Sequence, residues 1–306
     1  MKFSEEVFWA IELADIYAKK DLKVAQRQLV DLLDLLVHLH EVLAEKNVQV
    51  EDNEVLSEEL IMKFYLHGLT VGKISDTYKL TSKYYDHPNM SKVDLIDISS
   101  LLTVGRAQLE TLLMYQHLYV NSSDKDEQKL RYYAWIYTAL IQRSTIPVNN
   151  DESKIQKEKD EKSIADLKVK MENSAAYKNL SPKQQNSLLI SGSGKLFKHW
   201  EKIFDESGFL KDSPLAKIYY ILSVYSHSEG LSVIQMKSAK YFITHKNNSE
   251  MTFMQIFSSI IMTSIMIKNI VKKYELVSTR FAEIDKKTKF EVEFFSKLGK
   301  SNKPNA

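Results

Sequence analysis

Apolar side chains recur at intervals of three and four residues along most of this chain, the spacing of amphipathic helices. Ser4 stands where an N-cap belongs. Glu5 and Glu6 suit the positive end of a helix whose apolar positions are Phe8, Trp9, Ile11, Ala14 and Ile16. Asp21 opens a second helix, in which Leu22, Leu29, Leu36 and Leu43 recur every seven residues and Ala25, Leu32 and Leu39 form a second row. Such a heptad seam suits a dimerising coiled coil when charges flank it. Here Leu33, Leu35 and Val42 hold the flanks, which widens the stripe to that of a helix packed against several neighbours in a bundle.

The pattern continues through "SEELIMKFYLHG", with Gly68 as the expected C′ residue, and through "GKISDTYKLTSKYY", which must stop before Pro88. "KVDLIDISSLLTVGRAQLETLLMYQHLYV" predicts a helix of roughly 25 residues. "NSSD" breaks it, and Asp124 or Ser123 caps the next helix. "DESKIQKEKDEK" carries both charge signs and almost nothing apolar, so it reads as a solvated helix or a linker. Ser181 and Pro182 form an N-cap and N1 pair. The apolar run from 251 predicts one buried helix reaching about residue 283. In "TKFEVEFF", Phe290, Val292 and Phe294 alternate like a strand, yet Phe290, Phe294 and Leu298 fit a helix. A lone strand lacks a partner, so helix is expected.

With only 8 glycines and 5 prolines, few breakers interrupt these segments. The expected fold is all-α, a multi-helix bundle with long antiparallel helices. The expected organisation is an N-terminal helical part over 1–148, a charged linker or solvated helix over 149–163, a C-terminal helical part over 164–300 packing on the first, and a disordered tail over 301–306.

Charge narrows the function classes. Lys and Arg total 42 against 40 Asp and Glu, a net charge of +2, which speaks against a dedicated nucleic-acid coat and gives no DNA-specific signal. There is no cysteine, which excludes disulfides, thiolate metal sites and cysteine nucleophiles and suits a reducing, cytoplasmic setting. The first residues read as a helix of the fold, not a targeting segment. The window 251–271 is membrane-like, but Gln255, Ser258, Ser259, Thr263, Ser264, Lys268 and Asn269 interrupt it, so a buried helix and no membrane partner are expected.

Few candidate sites stand out. "SGSGK" at 191–195 is too short for a phosphate loop, and Leu196 stands where the magnesium-binding hydroxyl belongs. His38 and His40 are two apart and so point to different sides of a helix, which leaves no zinc pair. No metal and no cofactor are expected. Two helices do carry polar groups in register. Arg106 and Glu110 are four apart, with His117 two turns further, inside an otherwise leucine-rich helix. Tyr219, Ser223 and His227 are likewise four apart between Pro214 and Gly230, and Tyr220 lies three before Ser223. Such groups either satisfy a core network or build a cleft, with His227 as a general acid or base and Arg106 and Glu110 beside it. A Ser–His nucleophile pair on one helix has no orienting third group.

"RAQLE" followed about a hundred residues later by "YYILSVYSHS" resembles a broad group of uncharacterised, all-helical bacterial proteins, in which an R-x3-E helix is followed by a Y-x2-L-S-x3-H-S helix. Arg106, Glu110, Tyr220, Leu222, Ser223, His227 and Ser228 carry the likeness, over about residues 95–235. It implies a bundle in which the two motifs face one another. A looser likeness is to the HEPN superfamily of helical ribonucleases and nucleotide-binding proteins, frequent in toxin–antitoxin and phage-defence systems, whose site uses R-x4-6-H on one helix. No arginine lies four to six residues before His227 here, so Arg106 would supply the guanidinium from another helix.

The expected function is an intracellular helical binding or interaction protein with a buried or cleft polar cluster: Arg106, Glu110, His117, Tyr219, Tyr220, Ser223, His227 and Ser228. The alternatives are a metal-independent ribonuclease effector using His227 as acid/base, in a bacterial stress or phage-defence role, and an oligomeric scaffold. Protein partners, self-association through helical faces and RNA are the partners to consider.

Overall fold

A computed structural model describes residues 4–45, 51–78, 94–122, 124–209, 213–226 and 246–299, with Ile234 and Lys237 besides. The described residues form thirteen α-helices and no strand, only an isolated antiparallel bridge between Tyr78 and Leu95. In chain order they are α1 Glu5–Lys19, α2 Leu22–Glu45, α3 Ser57–Ile74, α4 Ile98–Tyr119, α5 Lys125–Ser144, α6 Asp151–Asn173, α7 Ala175–Lys178, α8 Pro182–Ser191, α9 Trp200–Glu206, α10 Pro214–Ser226, α11 Lys246–Lys273, α12 Glu275–Glu283 and α13 Lys286–Leu298. The all-α bundle read from the pattern is thus observed. Two compact units divide the chain: Met1–Val48, Glu58–Leu112 and Gly208–Ala306 make the first, Gln49–Ser57 and Leu113–Ser207 the second.

The first unit is built around α11, which packs on α2, α10, α12 and α13. Ile256, Ile260, Ile261, Ile265 and Ile270 of α11 are fully buried, as are Ala25, Leu29, Leu33, Leu36 and Leu39 of α2. The wide leucine stripe of α2 therefore faces its own bundle. Among the described helices, α11 is the one long and apolar enough to cross a membrane, and most of that apolar window is buried inside the structure. Gln255, Ser258, Ser259, Thr263 and Ser264 are all buried among its isoleucines.

Three expectations change here. Gly68 does not end α3, which runs on to Ile74. A Cβ at Gly68 would lie 2.7 Å from Leu33 Cδ2 and 2.8 Å from Gln108 Nε2, so glycine is there because neighbouring side chains cross its Cα closely. The helix expected from residue 72 onward is likewise the end of α3, followed by the bridge at Tyr78; residues 79–93, with Pro88, lie outside the described ones. The apolar helix expected to reach residue 283 ends at Lys273. Tyr274 takes an extended conformation (φ −117°, ψ 118°) and starts α12, whose Val277 and Phe281 are buried. Ser4 occupies the N-cap position of α1, but its side chain makes no capping bond. "TKFEVEFF" is helical within α13.

In the second unit α5 packs on α6, α7 and α8. Leu130, Ala134, Tyr137, Met171, Tyr177 and Leu188 form its core. Asp124 caps α5, accepting from the amides of Asp126 and Glu127. Ser181 and Gln184 form a capping box on α8, with Pro182 at its start. Residues 151–163 are the opening turns of α6, capped by Asn150, so the charged segment takes the helical of its two readings. Arg143 Nε donates to Asp160 Oδ2 at 2.6 Å and so ties α5 to α6.

Candidate functional site

The polar cluster of the first unit forms where α4 and α10 carry groups at i, i+4. Arg106 and Glu110 share one face of α4, and Arg106 Nε donates to Glu110 Oε1 at 2.8 Å. Tyr219 and Ser223 share one face of α10. Arg106 Nη1 donates to Ser223 Oγ at 2.8 Å, and its guanidinium carbon lies 5.9 Å from the centre of the Tyr219 ring. The Arg106 side chain is 13% exposed and that of Glu110 28%, so the pair is shielded yet reachable by water. One cation is thus held by a carboxylate on its own helix, a hydroxyl on another and an aromatic ring within cation–π range.

The structure brings together Arg106, Glu110, Tyr219 and Ser223 and sends Tyr220 elsewhere. One residue along α10 from Tyr219, the Tyr220 side chain is 67% exposed. His227 and Ser228 lie outside the described residues. His117 belongs to the second unit. It is fully buried, and neither ring nitrogen has a hydrogen-bond partner among the described residues. Burial first, and then the cations of Arg131 and Lys198, push its pKa down to about 3, so it is a neutral imidazole at neutral pH. Arg131 is itself buried; it donates to the His117 carbonyl at 2.7 Å and to Glu127 at 2.6 Å.

Two further polar groupings in the first unit were not picked out from the sequence. Ser259 Oγ of α11 donates to Gln108 Oε1 of α4 at 2.7 Å, and Gln255 Nε2 donates to Ser259 Oγ at 3.2 Å. This seam passes Gly105, where a Cβ would lie 2.2 Å from Gln255 Nε2. It accounts for two of the polar residues that interrupt α11, Gln255 and Ser259, which join Gln108 of α4 inside the bundle. Thr263 bonds the Ser259 carbonyl of its own helix, and Lys268 pairs with Glu293 of α13. The signal was available in "GRAQ", a glycine three residues before a glutamine on an apolar helix. The second grouping joins α1, α2 and α13. Tyr17 Oη donates to Gln28 Oε1 at 2.6 Å, burial raises the Tyr17 phenol, and burial also raises the Glu291 carboxyl against the hydrogen bond it receives from Gln28. No spacing rule reveals this one, because its members come from three helices.

A groove of about 920 Å³ runs between α1 and α13, lined by Trp9, Phe290 and Phe294 and bordered by Glu5, Glu6, Lys286 and Lys289. Trp9 and Phe290 touch there with ring centres 5.6 Å apart. Among the described residues no three His, Asp or Glu side chains gather as a metal site requires.

Compared with known protein families, with curated proteins and with solved structures, the chain matches none of them.

Proposed function

We propose that this chain is a helical binding and interaction protein in which Arg106 organises the fold. The observation that carries the reading is the double engagement of Arg106. Its charge is met by Glu110, and a second nitrogen is committed to Ser223 on another helix. A guanidinium that stabilises a phosphoryl transition state must aim its donors where that charge develops. This one aims two of its nitrogens at groups of its own fold. The groove between α1 and α13, apolar along Trp9, Phe290 and Phe294 and charged at its edges, supports the same class.

The competing effector reading has His227 cleaving RNA without metal, with Arg106 on the phosphate. A place in bacterial stress or phage defence rests on the sequence resemblance alone. The experiment incubates purified native protein, Arg106→Gln and His227→Ala with RNA, with and without EDTA, and records the thermal melt of each. The binding reading expects no cleavage from any sample and a lower melt for Arg106→Gln. EDTA-resistant cleavage by the native chain, lost in a His227→Ala variant that melts normally, overturns it.

A further inference from the structure

The groove between α1 and α13 is bordered by charges of both signs that do not meet one another. The two helices run antiparallel there, since Trp9 touches Phe290 and Lys287 pairs with Glu12 at 2.9 Å. Glu5 and Glu6 therefore stand one turn from the touching rings toward one end, and Lys286 and Lys289 stand within one turn toward the other. The side chains of Glu5, Glu6 and Lys286 make no ion pair or hydrogen bond with any described residue. Lys289 spends one of its donors on the Ala282 carbonyl at 2.7 Å. Glu293 is taken by Lys268 of α11, and Lys297 is a lone cation beyond Phe294.

Between the acidic and basic ends the floor is aromatic. Trp9, Phe290 and Phe294 are half-buried, and the Phe290 ring centre lies 5.6 Å from that of Trp9 and 6.0 Å from that of Phe294. Elsewhere the chain covers its rings with its own cations: Lys195 lies over Trp200, Lys170 over Tyr133 and Arg106 over Tyr219. Among the described residues none lies over the three rings of the groove.

These features fit a zwitterion. An indole face is the best ring for a cation, and carboxylates one turn away add to its attraction. A quaternary ammonium suits that floor better than a primary one, because it has no N–H to strand without an acceptor. The basic end calls for an anion, and two neighbouring ammonium groups suit the several oxygens of a phosphate. Glu6 and Lys286 are about 10 Å apart along the helix axes, room for a ligand whose own charges lie a few ångströms apart and make a contact at each end. A single-stranded nucleic acid is the poorer occupant, because Glu5 and Glu6 repel its phosphates.

We propose that this groove binds phosphocholine as a free small molecule, with its trimethylammonium over Trp9 beside Glu5 and Glu6 and its phosphate on Lys286 and Lys289. The assignment rests on the binding reading above and gives it a ligand class, without involving Arg106. RNA cleavage by the native chain would sink that reading whether or not phosphocholine binds, whereas a failure to bind phosphocholine sinks the assignment alone.

The test is saturation-transfer NMR on the choline methyl protons, with the full native chain and phosphocholine raised to about 20 mM. A Kd of about a millimolar is expected, the level open to a ligand of about eleven non-hydrogen atoms in an open groove. Choline, phosphoethanolamine and inorganic phosphate, each used as a competitor, are expected to bind about tenfold more weakly or worse. Glu6→Lys and Lys286→Glu replace exposed side chains, so each should melt as the native chain does while weakening phosphocholine about tenfold. Trp9→Leu should remove binding, and Trp9→Phe should restore part of it. No transfer to the methyl protons at about 20 mM overturns the proposal. So does phosphoethanolamine binding as tightly, or binding indifferent to Glu6→Lys and Lys286→Glu. Flotation with phosphatidylcholine vesicles, without binding of free phosphocholine, overturns it as well and assigns the aromatic floor to a lipid surface.

Discussion

Acidification gives the second unit a measurable weakness, and its size follows from one residue. His117 is fully buried, and its pKa falls from 6.5 to about 3 on folding. Above pH 6.5 the imidazole is neutral in both states and costs nothing. Below it the unfolded chain takes up a proton that the folded chain refuses until about pH 3, so stability falls as pH falls through that window, at up to about 1.4 kcal/mol per pH unit. Between pH 7 and pH 5 the loss integrates to about 2 kcal/mol. With a urea slope of about 2 kcal/mol/M the midpoint drops by about 1 M. Trp135 and Trp200 both lie in the second unit, so a Trp9→Phe background makes tryptophan fluorescence report on that unit. Urea unfolding at pH 7, 6 and 5 is then compared with a His117→Leu variant, which keeps the volume and removes the titration. Glu127 near it is held below its ordinary value by Ser122 and Arg131 against the cost of burial, and its effect enters at lower pH. A native chain that loses no more stability by pH 5 than His117→Leu would refute the reasoning.

Other substitutions test the packing. Gly105→Ala places a Cβ 2.2 Å from Gln255 Nε2, inside a buried amide network, and should cost about 1–3 kcal/mol; adding Gln255→Ala should recover part of that loss in urea unfolding. Gly192 has φ +71°, and a Cβ there would lie 3.0 Å from the Thr138 backbone, so Gly192→Ala should destabilise the second unit by about 1–3 kcal/mol, read by thermal melting. Glu291 has its carboxyl raised by burial, a cost present at neutral pH and relieved as pH falls through the raised value. Glu291→Gln should therefore raise the melting temperature at pH 7 and gain nothing at acidic pH.

What the sequence revealed and hid divides along physical lines. Features set by local chemistry were legible: the Asp124 cap, the Ser181–Pro182 start, the Arg106–Glu110 spacing and the wide stripe of α2. Each depends on residues within one or two turns. Gly68 was misread as a terminator because a glycine that lets a neighbour approach looks the same in sequence as one that ends a helix. The break at Tyr274 carries no glycine or proline to announce it. Tyr219 and Tyr220 differ by 100° around α10, and only the packed bundle decides which one meets Arg106. Phe8 and Ile11 were expected to face inward as apolar positions of α1. They are exposed, because Trp9, Leu13 and Ile16 already fill the side that packs.

The claim on which the functional reading turns is that Arg106 is spent within the fold. A double-mutant cycle of Arg106→Gln and Ser223→Ala, read by urea unfolding, measures that directly. A charge-assisted bond shielded between α4 and α10 predicts a coupling of about 1–2 kcal/mol, with Arg106→Gln the more costly single change because it leaves Glu110 partly buried and unpaired. Additive losses, with no coupling between the two positions, would contradict the account and return Arg106 to the list of groups available to a ligand.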